Sequence, residues 1–369
     1  MRADMASAKS PPEPMSASPG VSLCIINRNG ANRLAAVFRA IERQDWPVAE
    51  VLLVDNASED ASIETARALD RNVRIVRLPA NRGPGAARNA GFVAATHDLI
   101  LFQDNDIQLG ADTVRHLVSH LASHPESLAV AARVLYASEP ETIQYDSADC
   151  HFLGLMATRN AEVPLYESDT EPSVTTSIVT SCFLINRKIW RGAALFEESF
   201  GFNLEDHDFG VRAGLAGHSL WVEPRACVRH GRGTAGLSYR PGQIPSARRL
   251  YYLTLNRWKI VSRCYSFRTL VLLAPGLLVY EGAQLVWLVS QGHFRTWWRA
   301  ISAFARERRS LCEQRRSIQR ERRVGDIAFL RETPLPLTRY VREQRLATIV
   351  VPGLDVLLRA YWRLVRRWV

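Results

Sequence analysis

Leu99-Ile-Leu-Phe-Gln-Asp104-Asn-Asp106 joins a run of strand-forming apolar residues to two carboxylates spaced two positions apart. The run is short and continuous, the pattern of a strand buried on both faces, and the acids stand where it ends. Carboxylates at i and i+2 beyond a strand can reach one oxygen-preferring divalent ion. Mg²⁺ and Mn²⁺ take such ligands together with substrate phosphates. A bare D-x-D is common by chance, so its setting decides its weight.

Working outward, the same pattern recurs. Apolar runs at 21–26, 51–54 and 73–78 predict strands, and 34–41, 61–69 and 83–95 carry helical spacing. A helix over 113–121 and a strand over 128–135 follow. Strands alternating with helices of this length predict βαβ units and a parallel sheet. Ligands bind such sheets at the carboxyl ends of the strands. Asn27, Asp55, Asn81, Asp104 and Asp106 stand at those ends. Residues 136–172 are less regular. Beyond them 174–185 predicts a strand, 205–216 a helix opened by acids, and 219–222 and 226–228 two short strands. The Gly/Arg-rich stretch 231–242 predicts a mobile segment.

The chain of 369 residues, 47% hydrophobic and 23% charged, is that of a folded globular protein. At roughly 100–200 residues per domain it holds one large domain with an appendage, or two domains. The net charge of +10 is uneven: residues 295–369 hold 18 Arg and 7 acids, a net +11, which leaves −1 for the rest. A basic segment of this kind faces nucleic acid or an anionic membrane. Scattered aromatics and no nucleic-acid fold signature argue against nucleic acid. None of the six cysteines forms C-x-x-C, so they read as small buried hydrophobes of a reducing compartment. Residues 1–20, rich in Pro, Ser and Ala without an apolar core, predict a disordered leader rather than a secretory signal.

Four further constellations carry chemistry. Val51-Leu-Leu-Val-Asp55-Asn56-Ala-Ser58-Glu-Asp60 places a carboxylate and turn hydroxyls at a strand end, able to hold a base or ribose; Ser58 or Asp60 also suits a helix cap. Asn81-Arg-Gly83-Pro-Gly85-Ala-Ala-Arg88-Asn89-Ala-Gly91 opens a helix with glycines that let backbone approach phosphate. Its G-x-G-x-x-R lacks the third glycine of a dinucleotide site. Glu205-Asp206-His207-Asp208 stacks acids at a helix start, where the helix dipole favours them and a general base could stand. His230 follows the last short strand; a lone histidine is more often structural than a ligand.

In this order the motifs resemble family 2 glycosyltransferases of the GT-A fold, and more closely their rhamnosyltransferase-like branch of bacterial surface-polysaccharide synthesis. The resemblance runs from about Val21 to Gly236. It implies a Rossmann-like mixed sheet flanked by helices (a nucleotide-diphospho-sugar transferase fold) over 21–245, and a helical, basic, membrane-associating region over 246–369. It implies inverting, metal-dependent hexosyl transfer from a nucleotide-diphosphate sugar to a hydroxyl of a lipid-linked or polysaccharide acceptor. It also implies residue roles. Asn27, Asn29, Asp55, Asn81, Gly83, Arg88, Asn89 and Asp104 would bind the donor nucleotide. Asp104, Asp106 and His230 would hold Mg²⁺ or Mn²⁺. Asp206 would be the base and Glu205 its positioning partner. Two positions depart from the family: Ile26-Asn27-Arg28-Asn29 replaces Pro-Thr-Tyr-Asn, and Gln103 replaces Leu before the D-x-D. Neither removes an acid. A nucleotidyltransferase would need a Gly-rich basic signature after the first strand, where 27–33 holds one Gly. A sugar-nucleotide-binding scaffold with a decayed site sits poorly with the intact acids.

The stretch 270–290 is long enough to span a bilayer but contains Pro275, Gly276, Glu281 and Gln284. A span, a hairpin broken at Pro275-Gly276 and a buried core helix all fit. The Arg, Trp and Leu of 354–369 suit a helix lying among lipid headgroups. Together with the resemblance they imply a chain associated with the cytoplasmic face of the inner membrane, against anionic lipid. With every donor motif before 245, a chain truncated there is expected to stay soluble and bind nucleotide.

Overall fold

The computed structural model describes residues 19–231 and 245–369, apart from Arg191 and Ala193. The leader up to residue 18 and the Gly/Arg-rich stretch from 232 lie outside the described residues. In chain order the elements are β1 (Val21–Asn27), α1 (Ala31–Glu42), β2 (Glu50–Asp55), α2 (Ser62–Leu69), β3 (Arg74–Arg77), α3 (Gly83–Ala94), β4 (Leu99–Asp104), β5 (Ile107–Leu109), α4 (Thr113–Ser123), β6 (Ala129–Tyr136), β7 (Ile143–Tyr145), β8 (Ala148–His151), β9 (Met156–Thr158), β10 (Ser173–Thr175), β11 (Cys182–Asn186), α5 (Glu205–Leu215) and β12 (Leu220–His230). The C-terminal third adds α6 (Ala247–Cys264), α7 (Phe267–Ser290), α8 (Phe294–Arg306), α9 (Arg308–Glu321), β13 (Leu330–Arg331), α10 (Arg339–Arg342) and α11 (Arg345–Val365).

One mixed sheet runs β10-β12-β6-β11-β4-β1-β2-β3, with β5 paired to β12 and β7 to β6. The half built from β1 to β4 is parallel, joined by right-sized helical crossovers; β11 runs antiparallel between β4 and β6. Because the central strands are apolar at consecutive positions, both faces are covered. One face packs Leu23, Ile25, Leu53 and Leu101 against α1 and α4. The other packs Cys24, Leu52, Val54 and Phe102 against α3 and α5. Register levels the carboxyl ends: Asn27 lies opposite Asp55, and Ile26 opposite Asp104.

Three expectations change. The strand expected over 174–185 is two strands, β10 at the sheet's edge and β11 near its middle. Polar Thr176 divides them: its hydroxyl accepts from Cys150 N at 2.9 Å and donates to Asp149 Oδ1 at 3.0 Å, drawing the chain out of the sheet. The two short strands expected at 219–222 and 226–228 are one strand, β12, with an irregularity between Glu223 and Cys227 around Pro224. The hairpin break at Pro275-Gly276 does not occur. α7 continues through Pro275, and Gly276 lets the Tyr361 ring of α11 pack close, 3.3 Å from where a Cβ would stand. The Tyr361 hydroxyl donates to Leu272 O at 2.5 Å on the same turn.

The packing is continuous across the boundary expected at 245. A third core joins Phe200, Leu204, Val211 and Leu215 to Ile260, Val261 and Cys264 of α6, with Leu273, Leu358 and Trp362 beyond. β13 pairs with β8 across the same boundary. A chain ending near 245 would expose this core, so the expected soluble fragment does not follow from the structure. The outer sides of α7 and α11 stay apolar and uncovered: Val271, Leu278 and Val286 on one, Ile349, Val356 and Leu364 on the other. Among the described residues α7 is the one helix long and apolar enough to cross a membrane.

Candidate active site

The carboxyl ends of β1, β2 and β4 open into a cavity of about 1710 Å³. Asn27, Asn29, Asn81, Gly83, Arg88, Asp104, Asp106, Glu205, Asp206 and His230 all line it. It continues past Tyr252 and Leu253 of α6 to Tyr280 and Gln284 of α7 and to residues 333–338. Ten of the twelve residues singled out by sequence thus share one space.

The other two stand behind the wall. Asp55 is fully buried, with Oδ1 accepting from Asn27 Nδ2 at 2.9 Å and Oδ2 from Ser58 N at 3.0 Å. Its place at the strand end is as expected, but it faces Asn27 and the Ser58 turn rather than the cavity. Asn89 bonds Phe196 O at 2.9 Å and accepts from Phe196 N at 3.0 Å, stapling α3 to the chain before α5.

A ring of amides shapes the floor. Asn105 Nδ2 donates to Asn27 Oδ1 at 2.8 Å. Asn56 Nδ2 donates to Asn81 Oδ1 and to Gly83 O, each at 3.0 Å, and its Oδ1 accepts from Arg82 N at 3.0 Å. Gly83 has φ +86, and a Cβ there would stand 1.8 Å from Gly201 O, so only glycine lets the start of α3 meet the loop before α5.

Arg88 connects the two acidic motifs. Its Nη2 lies 2.6 Å from Asp104 Oδ1 and 3.0 Å from Thr180 O, and its Nη1 3.4 Å from Glu205 Oε1. Arg88 is buried, whereas about a third of the Asp104 side chain (32%) faces the cavity. Burial pushes the Asp104 carboxyl above the usual range while Arg88 pulls it back. His230 Nε2 lies 3.4 Å from Asp106 Oδ1, and Nδ1 2.8 Å from Gln144 Oε1. The amide oxygen assigns the proton to Nδ1, which turns Nε2 toward the acids. Burial disfavours a charged His230, but the bond to Asp106 and the charges of Asp106 and Asp104 outweigh it and raise its pKa.

Across the cavity, Glu205 and Asp206 open α5. Burial raises both carboxyls, and for Glu205 the neighbouring Asp206 charge raises it further. Asp208 differs. It is fully buried, bonds Arg212 at 2.8 Å and pairs with Arg263 of α6. Burial works to raise its pKa, but the two arginines hold it below the usual range. Sequence reasoning passed over Asn56, Asn105 and Gln144. Asn56 and Asn105 sit inside quoted motifs, but Gln144 lies in the irregular stretch and carries no local signal.

Among the described residues no three Asp, Glu, His or Cys groups form a ready-made cluster around one ion. Asp104, Asp106 and His230 nevertheless offer two carboxylates and an imidazole to one side of the cavity. That set suits Mg²⁺ or Mn²⁺ when substrate phosphates complete the coordination.

Residues 22–191 match the family model described as Glycosyl transferase family 2. The succinoglycan biosynthesis protein ExoO of Rhizobium meliloti (strain 1021) is 32% identical over 113 residues, 30% of this chain and 32% of that protein. The pre-mycofactocin glycosyltransferase of Mycobacterium tuberculosis (strain ATCC 25618 / H37Rv) is 28% identical over 211 residues, 56% of this chain and 41% of that one. The N-acetylglucosaminyl-diphospho-decaprenol L-rhamnosyltransferase of the same strain is 29% identical over 221 residues, 53% of this chain and 70% of that one. The chain therefore spans less than half the length of the first two relatives. The crystal structure of GalNAc-T7 with UDP, GalNAc and Mn²⁺ shares the fold at a TM-score of 0.55 over 71% of this chain and 51% of that one, with 17% identity. S. aureus TarS 1-349 in complex with UDP-GlcNAc does so at 0.50 over 94% and 92%, with 14% identity. Over residues 22–191 the chain thus matches the Glycosyl transferase family 2 model, on a mixed sheet that shares its fold with GalNAc-T7.

Proposed function

We propose that the protein transfers a sugar from a nucleotide-diphosphate donor to an acceptor hydroxyl, with inversion. The observation that carries this is the pair of acidic motifs facing one cavity, Asp104 and Asp106 on one side and Glu205 and Asp206 on the other, with Arg88 between them. Asn27, Asn29, Asn81 and Gly83 form the donor floor, and Asp55 holds Asn27 from behind. Asp104, Asp106 and His230 would hold a divalent ion, which would neutralise charge on the departing nucleoside diphosphate. Asp206 takes the proton of the acceptor hydroxyl, which attacks the anomeric carbon from the face opposite the leaving group. Glu205, tied to Arg88, keeps the base in place. The raised Asp206 carboxyl suits a base that must bind a proton near neutrality.

The acceptor enters through the lobe walled by α6, α7 and 333–338. Exposed Arg248 lines it beside Tyr252, Tyr280 and Leu335, so it offers a cation and apolar surface together. This supports a lipid-linked acceptor, of the kind named for the mycobacterial relative, in a rhamnosyltransferase-like reaction of polysaccharide synthesis. The uncovered apolar sides of α7 and α11 and the basic charge after residue 295 support attachment to the cytoplasmic face of the cell membrane.

The test is a donor screen: purified protein, Mg²⁺ or Mn²⁺, a panel of UDP-, dTDP- and GDP-sugars, and detection of the nucleotide released. Metal-dependent release of a nucleoside diphosphate is expected from one donor. Release of sugar 1-phosphate instead, with the nucleoside monophosphate passed to an acceptor, would make the protein a nucleotidyltransferase. No release from any donor would favour a binding scaffold.

A further inference from the structure

The loop that brings Asp206 to the cavity is fastened from outside the donor-binding sheet. Gly201, Asn203 and Leu204 have φ of 63°, 60° and 63°. Left-handed backbone is disfavoured for an L-residue, whose Cβ crowds the following carbonyl. Leu204 has neither glycine's freedom nor asparagine's local hydrogen bonding to ease that cost. Such a conformation persists only where its surroundings over-determine it.

Asn256, on α6, supplies the constraint. Its Nδ2 faces Phe200 O at 3.0 Å, Phe202 O at 3.0 Å and Asn203 O at 2.7 Å, which share its two N–H groups. Three carbonyls around one end of the amide identify that end as nitrogen. Asn256 is fully buried and its Oδ1 has no partner, so the donor end alone accounts for its place. One turn on, Lys259 Nζ donates to Ser199 O at 3.1 Å. On the loop's other side Gly201 O presses against Gly83, where α3 starts. The loop is wedged between the donor-binding helix and α6.

We infer that Asn256 is a positioning residue for sugar transfer. It gathers the backbone carbonyls before α5, holds Asn203 and Leu204 left-handed, and so sets the direction in which Asp206 leaves the helix start. Asn256 does not line the cavity. The inference rests on the reading of Asp206 as the base.

The isosteric Asn256→Asp tests it, because a carboxylate turned toward three carbonyls repels them; Asn256→Ser keeps one donor and gives the milder case. Amide hydrogen exchange is compared across 199–206 and the central strands, alongside nucleotide release from the donor found in the screen. Exchange in 199–206 is expected to speed by about tenfold or more while β1 and β4 stay unchanged. The kcat is expected to fall by about 10²-fold, the scale of a misplaced catalytic group, with the donor KM within about twofold of wild type. Unchanged exchange in 199–206 would overturn the inference. So would faster exchange throughout the sheet with kcat and KM moving together, the mark of general loosening. If neither variant folds, the inference fails in favour of a purely structural role. Wild-type protein that releases no nucleotide sinks the transferase reading, while the exchange comparison still decides whether Asn256 holds the loop.

Discussion

Arg88 and Asp104 meet at 2.6 Å, a guanidinium buried behind a carboxylate that faces the cavity. Because Arg88 also reaches Glu205, it is the one described residue bonded to both acidic motifs. Arg88→Ala leaves two carboxylates in the site without their cation. Breaking a buried pair from one side costs about 3–5 kcal/mol, and solvent at Asp104 lowers that toward the smaller figure. A drop in the midpoint of denaturant unfolding with an unchanged slope is expected; wild-type stability would show that the pairing contributes nothing.

Asp104→Asn and Asp106→Asn should each abolish metal-dependent nucleotide release while leaving circular dichroism unchanged. Charge neutralisation at a leaving group is worth several kcal/mol; Asp104→Asn also weakens the pair with Arg88, lowering the unfolding midpoint while the folded state keeps its secondary structure. Near-normal turnover in a folded variant would remove the metal assignment.

Asp206→Asn should retain donor binding and lose transfer by about 10²–10⁴-fold, the usual scale for a missing general base. Asp208→Asn should instead weaken the fold, since it strips Arg212 and Arg263 of their buried partner. The reverse result, a dead but stable Asp208 variant with an active Asp206 variant, would mean the base is the wrong carboxylate.

The raised carboxyls of Glu205 and Asp206 give a pH dependence of defined sign. Transfer needs Asp206 ionised, so the acid limb of kcat/KM should lie above the ordinary aspartate range. Stability runs the other way. Between the ordinary carboxyl pKa and the raised folded value the native state binds more protons than the unfolded one, so this pair's contribution falls as pH rises. Asp206→Asn removes part of that cost and should melt no lower than wild type at pH 8. A lower melting point there, with wild-type behaviour at pH 4, would contradict it.

Membrane sedimentation separates two forces. High salt screens arginine attraction but leaves apolar contact intact, so detergent should release the protein and salt should release little. Replacing exposed Val271, Leu278 and Val286 by Ser should shift it to the soluble fraction. Complete release by salt alone would confine attachment to the charges.

The strands that end in site residues were legible because their signal is local: an apolar run, then a polar residue, on one short stretch. The D-x-D and the acids opening α5 were found for that reason. What sequence could not show was direction. Asp55 and Asn27 both stand at strand ends, yet register turns Asp55 inward onto Asn27 and Ser58. Nor could it show partnership at long range. Pro275 reads as a break, but the helix runs on with Tyr361, 86 positions away from Pro275, packed beside it. Glu281 reads as a penalty within an apolar helix, but it faces inward to Arg257 and bonds Trp258 Nε1 at 2.8 Å.

The anchoring of the base loop on α6 also sets an order of events during synthesis. All strands of the main sheet lie before residue 231, so they leave the ribosome before α6 does. Asn256 and Lys259 follow them out of the ribosome, and at about 5–20 residues per second they do so seconds later. Leu330 and Arg331, the third strand beside β8, come later still. A nascent chain therefore passes through a stage in which the sheet has emerged but the third core lacks α6 and the loop before α5 lacks its anchor. Synthesis stalled in that interval would leave a chain with exposed apolar surface and Asp206 not yet set in place.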